Sequence, residues 1–450
     1  MQRDLVQGAV TVIGAARSGV AAAQLITTRG GTPFVSELAA EDRIGQSVQA
    51  LRTAGIGFET GGHSERVYAC GLMVISPGVP SSAPVVVEAK RQNIPVVSEL
   101  ELASWFCPGP VVAITGSNGK TTTTTLAGRI LGDARVPHVV AGNIGTAFSG
   151  VVREMRPDQT AVLEVSSFQL DHCESFRPRV SVILNITQDH MDRYGHSMEA
   201  YAASKARIFR QQTEGDVLIY CADDPWTSRV ASQARCRTLA YGATPHAGDG
   251  AWLENGMLVT SVDGERHEII PSGEITIKGS HNVLNAMAAS LVGRMCGGGP
   301  ASLRATLRNF KGVEHRLEFV REHQGVRYYN DSKATNVDSV WYALQAFTAP
   351  IVLLLGGRDK GNDYRRLHEL VRKRVKAVVA IGESADTVAA AFNGMAVIKR
   401  SSSMDEAVAT ARFLADPGDV VLLSPACASF DWFQSYEHRG RVFKELVSAL

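Results

Sequence analysis

Residues Val111 to Leu126 read VVAITGSNGKTTTTTL: an apolar run, a glycine-rich turn, and then Lys120 and Thr121 opening a helical segment. A β-branched strand that turns sharply into a helix confines the chain to α/β architectures, because the helix must pack back on the sheet that holds the strand. The same turn is built to cradle phosphate. Its backbone N–H groups and the positive end of the helix face an anion, the lysine adds a point charge, and the hydroxyl can reach a divalent cation. The loop departs from the usual pattern, since Ile114 stands where a glycine is expected five positions before Gly119-Lys120. What remains is Gly116-x-x-Gly119-Lys120-Thr121, so its context carries the argument.

That context repeats along the chain. Short β-rich runs alternate with helix-like segments, the rhythm of parallel sheets. The first block, residues 1–98, holds expected strands at 9–13, 33–36, 72–76 and 96–97. The second, 99–312, starts with the phosphate loop and continues with strands at 161–164 and 180–185 and a helix over 198–212. It ends in a β-like stretch over 251–277 and a helix from about Asn282. The third, 313–450, has strands at 351–355, 377–381 and 420–423. The expected architecture is three α/β domains: a Rossmann-like N-terminal domain, a central P-loop ATPase-type domain with a mostly parallel sheet, and a Rossmann-like C-terminal domain.

Composition removes several function classes. With 46 basic against 45 acidic residues and a net charge of +1, no basic face points to nucleic acid. Seven cysteines without a CxxC pair argue for a reducing compartment and against structural zinc. The first residues, MQRDLVQGAVTVIG, enter a strand without a signal-like apolar region, and no apolar stretch is long enough to span a bilayer. The expectation is a soluble, cytoplasmic protein that meets small molecules, with nothing demanding more than a monomer.

The first block carries a second glycine-rich turn, Gly14-Ala-Ala-Arg-Ser-Gly19, after strand 10–13, with Glu37 near the end of the next strand. It resembles the dinucleotide fingerprint, but Ala16 replaces the middle glycine, where a bare backbone should approach a pyrophosphate. Three readings stay open: NAD, a plain α/β turn, or another phosphate-bearing ligand. Ser76-Pro-Gly-Val79 also lies past a strand's carboxyl end.

Downstream of the phosphate loop, Glu164 ends the run AVLEV, a place suited to Mg²⁺, which takes a few hard oxygens and keeps its waters. His190 sits between Asp189 and Asp192 in NITQDHMDRYG. Lys205, in MEAYAASKARIFRQQ, reads by itself as an ordinary solvated helix lysine. With the phosphate loop, these groups suggest a site that uses ATP.

The ordered series TGSNGKTT, EVSSFQL, NITQDHMDRYG, SKARIF, GSHNVLNAMAA, VEHR, YYNDSKATN, LLGGRDKG and SPACASFDWF resembles the Mur ligases that build the peptidoglycan precursor. Segments 330–336 and 424–431 are similar to those of the members that add D-glutamate, and a DNPR-type motif of other members is missing. The resemblance implies an ATP-dependent ligase that joins D-glutamate to UDP-N-acetylmuramoyl-L-alanine through an acyl phosphate. It implies that Gly116, Ser117, Asn118, Gly119, Lys120, Thr121 and Thr122 hold the ATP phosphates. Thr121 and Glu164 would bind one Mg²⁺, and His190 with a CO₂-carbamylated Lys205 a second. Lys120, His190 and Lys205 are then the catalytic candidates. Asn282 and Asn285 would contact adenine, and Arg316, Asp331 and Lys333 the ribose and triphosphate. Asn143, Ser166 and Gln169 would bind the muramoyl-alanine part, the first domain the uridine diphosphate, and Thr335, Lys360 and Ser429 the carboxylates of D-glutamate. His315 is a plausible helper, and Tyr436 aligns with an aromatic that closes over D-glutamate in relatives, without being counted among the site residues. The usual acidic-x-basic cluster for uracil is replaced by Phe34-Val-Ser-Glu-Leu-Ala39. Rival readings are a folylpolyglutamate synthase-like enzyme, a P-loop ATPase acting as a switch, and an NAD-dependent dehydrogenase.

Overall fold

The chain is described by a computed structural model covering residues 3–143, 145–359 and 361–450. It contains three sheets. The first holds β1 (Ala9–Ile13), β2 (Thr32–Glu37), β3 (Gly57–Thr60), β4 (Leu72–Ile75) and β5 (Val96–Ser98), all parallel, in the order β3-β2-β1-β4-β5. The order reverses between β1 and β4, the switch point at whose carboxyl end an open parallel sheet takes its ligand.

The central sheet has nine strands. They are β6 (Val111–Thr115), β7 (His138–Gly142), β8 (Thr160–Glu164), β9 (Val180–Ile183), β10 (Val217–Cys221), β11 (Arg237–Gly242), β12 (Gly250–Glu254), β13 (Met257–Val262) and β14 (Glu265–Pro271). The order is β14-β13-β12-β11-β10-β9-β6-β8-β7. β6 through β12 run parallel and the β12–β14 meander is antiparallel. β6 is buried at every position, which explains its uninterrupted apolar sequence. A single apolar core joins the first sheet to the central one, running from Val10, Val12 and Leu72 through Leu100 and Leu102 to Ala113, Leu163 and Ile183.

The third sheet holds β15 (Glu318–His323), β16 (Val326–Asn330), β17 (Ile351–Gly356), β18 (Val375–Ile381), β19 (Val397–Arg400) and β20 (Val420–Leu423), in the order β15-β16-β20-β17-β18-β19. Only β15 runs antiparallel to its neighbour. β17 shows why IVLLL reads as a continuous apolar run: Ile351, Leu353 and Leu355 enter one core, while Val352 and Leu354 enter another on the opposite face.

By contact the chain forms two compact units: Met1–Ile275 with Leu284–Phe310, and Thr276–Val283 with Lys311–Leu450. All seven cysteines are free thiols, and no helix among the described residues is long and apolar enough to cross a membrane. Several strands lie where the sequence suggested none: β3, β7, β10, β11, β15, β16 and β19. The helix expected over 198–212 ends at Ala206 and continues as a 3₁₀ turn over Arg207–Phe209.

Candidate active site

The phosphate loop leaves the carboxyl end of β6, with β8 on one side and β9 on the other, the switch point of the central sheet. The helix Lys120–Asp133 begins after Gly119, whose φ is 84°. A side chain there would be strained, and its Cβ would run into Asn285 Oδ1. Gly116 (φ 154°) packs against Leu184, whose Cβ would lie 2.9 Å from an added Cβ. The threonine-rich first turns of this helix have modest helix propensity, but Thr121, Thr122, Thr123 and Thr124 are all buried, and packing decides.

The loop's polar groups are latched to the segment after β9. Asn118 N–H donates to Asn185 Oδ1 at 2.8 Å, and Asn185 Nδ2 returns a bond to Asn118 O at 3.1 Å. Ser117 N–H donates to Asn185 O at 2.9 Å, and Ser117 Oγ donates to Thr187 O at 2.9 Å while accepting from Thr187 N. Asn185 and Thr187 thus fix the loop; both lie in the segment NITQDHMDRYG, but neither was assigned a role from the sequence.

Two lysines converge on this loop. Lys120 Nζ donates to Gly116 O and Ser117 O, both at 2.8 Å, and Lys205 Nζ donates to the same Gly116 O at 2.9 Å. Lys205 is only 1% exposed, contrary to its reading as a solvated helix lysine. Tyr201, Ala202 and Ser204 of the same helix are buried with it. Burial, reinforced by the Lys120 ammonium, holds the Lys205 amine well below the usual lysine range. Its Nζ also lies 4.4 Å from the centre of the Tyr201 ring.

Glu164, at the end of β8, is 2% exposed. Its Oε1 accepts from Asn143 Nδ2 at 3.1 Å, and the Asn143 N–H donates to Glu164 O at 2.9 Å. Its Oε2 is buried and has no hydrogen-bond partner among the described residues. A carboxylate oxygen left so in a protein interior is costly, and a hard cation would satisfy it. His190 adopts a left-handed conformation (φ 52°) and opens the 3₁₀ turn Met191–Tyr194. Its ring lies edge-on to Phe168 at 4.9 Å, and its Nε2 is 3.6 Å from Asp189 Oδ2. Ser166 and Gln169 form a reciprocal capping box at the start of the short helix Ser167–Leu170. Asn285 Oδ1 accepts from Thr123 Oγ1 at 3.2 Å, and Asn282 Nδ2 donates to Lys278 O at 2.7 Å.

In the second unit, Asp331 follows β16. It is buried, accepts from Ser424 Oγ at 2.7 Å and from Leu317 N at 3.2 Å, and burial pushes its carboxyl up to about 7 against the opposing pull of Ser424 and Arg316. Lys333 Nζ stands 5.4 Å from the Tyr436 ring centre. His315 is buried, and its Nδ1 is 2.9 Å from Asn330 Nδ2. The fully buried Arg439, which the sequence did not single out, donates to Ser332 O at 2.8 Å and to Cys427 O at 3.1 Å. It thereby ties the segment that carries Lys333 and the half-buried Thr335 to the one that carries the buried Ser429. Lys360 lies outside the described residues.

In the first sheet, Glu37 folds back on the glycine-rich turn, accepting from Ala15 N at 2.7 Å and from Ala39 N at 2.9 Å.

Comparison with known proteins is decisive at this point. Residues 114–293 match the Mur ligase middle domain, and residues 315–427 match the Mur ligase, glutamate ligase domain. A curated UDP-N-acetylmuramoylalanine--D-glutamate ligase from Salinibacter ruber is 48% identical, over 98% of this chain and 97% of its own length. The chain belongs to the Mur ligase family. A protein of the same name from Chloroherpeton thalassium is 45% identical over 98% of this chain and 97% of its own length. Among solved structures, the UDP-N-acetylmuramate-alanine ligase MurC from Thermotoga maritima shares this three-domain Mur ligase fold. It does so with a TM-score of 0.64 at 19% identity, covering 98% of this chain and 99% of that one.

Proposed function

We propose that this Mur ligase couples ATP hydrolysis to the addition of D-glutamate to UDP-N-acetylmuramoyl-L-alanine, a step of peptidoglycan precursor synthesis. The observation that carries the ATP-dependent reading is the pairing of two lysines on the phosphate loop with the orphaned buried oxygen of Glu164. The choice of D-glutamate follows the name borne by the full-length relatives.

The loop Gly116–Thr122, with Lys120, is assigned to the ATP phosphates, and Asn285, Asn282, Arg316, Asp331 and Lys333 to the rest of the nucleotide. The donor set suits Mg²⁺: Thr121 and Glu164 at one position, His190 and Lys205 at a second. Lys205 qualifies once it becomes a carbamate, in which the neutral amine attacks CO₂, a C–N bond forms and one proton leaves. Burial beside Lys120 favours the neutral amine. Mg²⁺, when bound there, would supply positive charge to neutralise the transferring phosphoryl group.

Asn143, Ser166 and Gln169 would orient the muramoyl-alanine end so that its carboxylate meets the γ-phosphate, giving an acyl phosphate and ADP. Lys120 stabilises the charge that gathers on the transferred group. Thr335, Ser429 and Lys360 would hold the D-glutamate carboxylates while its amine attacks the acyl carbon and phosphate leaves. The first domain is assigned to the uridine diphosphate and residues 313–450 to the incoming amino acid.

The test is phosphate release with ATP, Mg²⁺ and UDP-N-acetylmuramoyl-L-alanine, comparing D-glutamate, L-glutamate, L-lysine and no amino acid. Turnover confined to D-glutamate, with a product heavier by one glutamyl residue, is the expected result. Turnover indifferent to the amino acid would leave an ATPase acting as a switch.

A further inference from the structure

Arg193 plays no part in the chemistry assigned above, yet it touches three of the elements that chemistry uses. It sits in the 3₁₀ turn that His190 opens. Its guanidinium donates to Gly78 O at 2.9 Å and to Pro77 O at 3.3 Å, both in the loop after β4. The same group lies 4.2 Å from the centre of the Phe168 ring, and Phe168 belongs to the helix between Ser166 and Gln169. One rigid fork therefore spans the loop of His190, the helix assigned to muramoyl-alanine, and a loop of the first sheet.

The loop it holds is not an arbitrary piece of surface. Ser76 Oγ donates to Gly14 O at 3.2 Å, so this loop packs on the glycine-rich turn that follows β1. β1 and β4 flank the switch point of the first sheet, where an open parallel sheet takes its ligand. At the other end, Ser81 Oγ meets His172 Nε2 at 2.8 Å, giving the loop a second tie to the central domain. On the far side of Arg193, Tyr194 OH donates to Asp171 Oδ2 at 2.9 Å and meets Ser204 Oγ, the neighbour of Lys205, at 3.2 Å. A contiguous set of hydrogen bonds and ring contacts thus runs from the Gly14 turn to the metal-ligand candidates.

We infer that Arg193 is a positioning residue that couples occupancy of the first-sheet crevice by the UDP-linked substrate to the geometry of the His190 loop. The inference rests on the function proposed above. Arginine suits this task because its planar fork donates to two carbonyls with the guanidinium over an aromatic ring, a fixed geometry that the point charge of lysine does not supply. Linkage is reciprocal. If the two sites are coupled through this residue, the nucleotide–metal complex tightens binding of the UDP-linked substrate, and the substrate tightens the nucleotide by the same factor.

The experiment is calorimetric titration of the full chain with UDP-N-acetylmuramoyl-L-alanine, without and with saturating Mg²⁺ and a non-hydrolysable ATP analogue. The expected coupling in the wild-type chain is about fivefold or more. It should collapse towards unity in Arg193→Ala and be intermediate in Arg193→Lys, with nucleotide affinity alone changed by less than about twofold. A thermal midpoint close to wild type for Arg193→Lys identifies folded protein. Equal coupling in the wild type and both variants, or no coupling in the wild type, would overturn the inference. Failure of the functional reading would look different, because the wild type would then not bind the UDP-linked substrate in either condition.

Discussion

The molecule contains two glycine-rich turns in equivalent places, each following the first strand of a parallel sheet at its switch point. They have opposite electrostatics. At the Gly14 turn the chain supplies its own anion: the Glu37 carboxylate accepts from Ala15 N and Ala39 N, where a phosphate could otherwise bind. At the Gly116 turn the chain supplies two lysine amines. Lys120 and Lys205 both press on one carbonyl, and the nearby carboxylate of Glu164 keeps one oxygen unsatisfied. The same strand–turn–helix unit carries a carboxylate on its backbone amides in one sheet and lysine amines on a backbone carbonyl in the other. A glycine pattern alone says where a ligand could sit. The charge around it says what kind of group it suits.

The contrast can be broken most directly at Lys205. Replacing it with alanine should lower phosphate release by about 100-fold or more, the scale of a lost electrostatic group in a closed site. Short carboxylates added in solution should restore part of the rate by standing in for the missing carbamate. Full activity in the variant would show that the buried amine has no chemical role.

Glu164→Gln is expected to be the next largest effect. The amide keeps the shape but removes the charge, so the Mg²⁺ concentration for half-maximal turnover should rise by about tenfold or more. The same change removes a buried, unsatisfied charged oxygen, and the unliganded protein should become more stable by about 1 kcal/mol. Denaturant unfolding of the two proteins without nucleotide reads this gain.

A smaller effect concerns pH. The Lys205 amine titrates below its unfolded value, so over the interval between the two the unfolded chain binds more protons. Stability should therefore rise with pH as pH climbs through the alkaline range towards 10. Lys205→Met removes the titrating group. Urea unfolding across that range should show a shallower slope for the variant, and equal slopes would place the amine's titration at its ordinary value.

The smallest expected effect belongs to the first turn. Glu37→Gln keeps one acceptor oxygen for the turn, so the KM for ATP should not move. The KM for the UDP-linked substrate should shift by less than about tenfold, the scale of one hydrogen bond. A large loss of ATP turnover would erase the distinction between the two turns.

Much of this was legible in the residues. β1 and β20 fall on the expected segments because each is a short apolar run bounded by turn residues, and the central turn was marked by its own glycines, lysine and threonine. The strands that escaped are of another kind. β19 is largely exposed with two charged residues in four, and β3 is a short edge strand, GFET, with neither an apolar run nor clean alternation. Local pattern carries little signal there, since pairing with a neighbour already in place defines the strand. The site shows the same limit. Lys120 stands in a recognisable loop, whereas the burial of Lys205 depends on how closely one helix approaches a turn 89 residues away. Asn185, Arg193 and Arg439 act through several contacts to distant segments that no spacing announces.

The central claim is that the buried Lys205 amine at the Gly116 turn is converted into an anionic ligand. Carbon-13 NMR of the protein equilibrated with labelled CO₂ tests it directly. The account predicts a protein-bound carbamate resonance in the wild type that is strengthened by Mg²⁺ and lost in Lys205→Arg. A wild-type spectrum without that resonance, or a resonance that survives in Lys205→Arg, would contradict it.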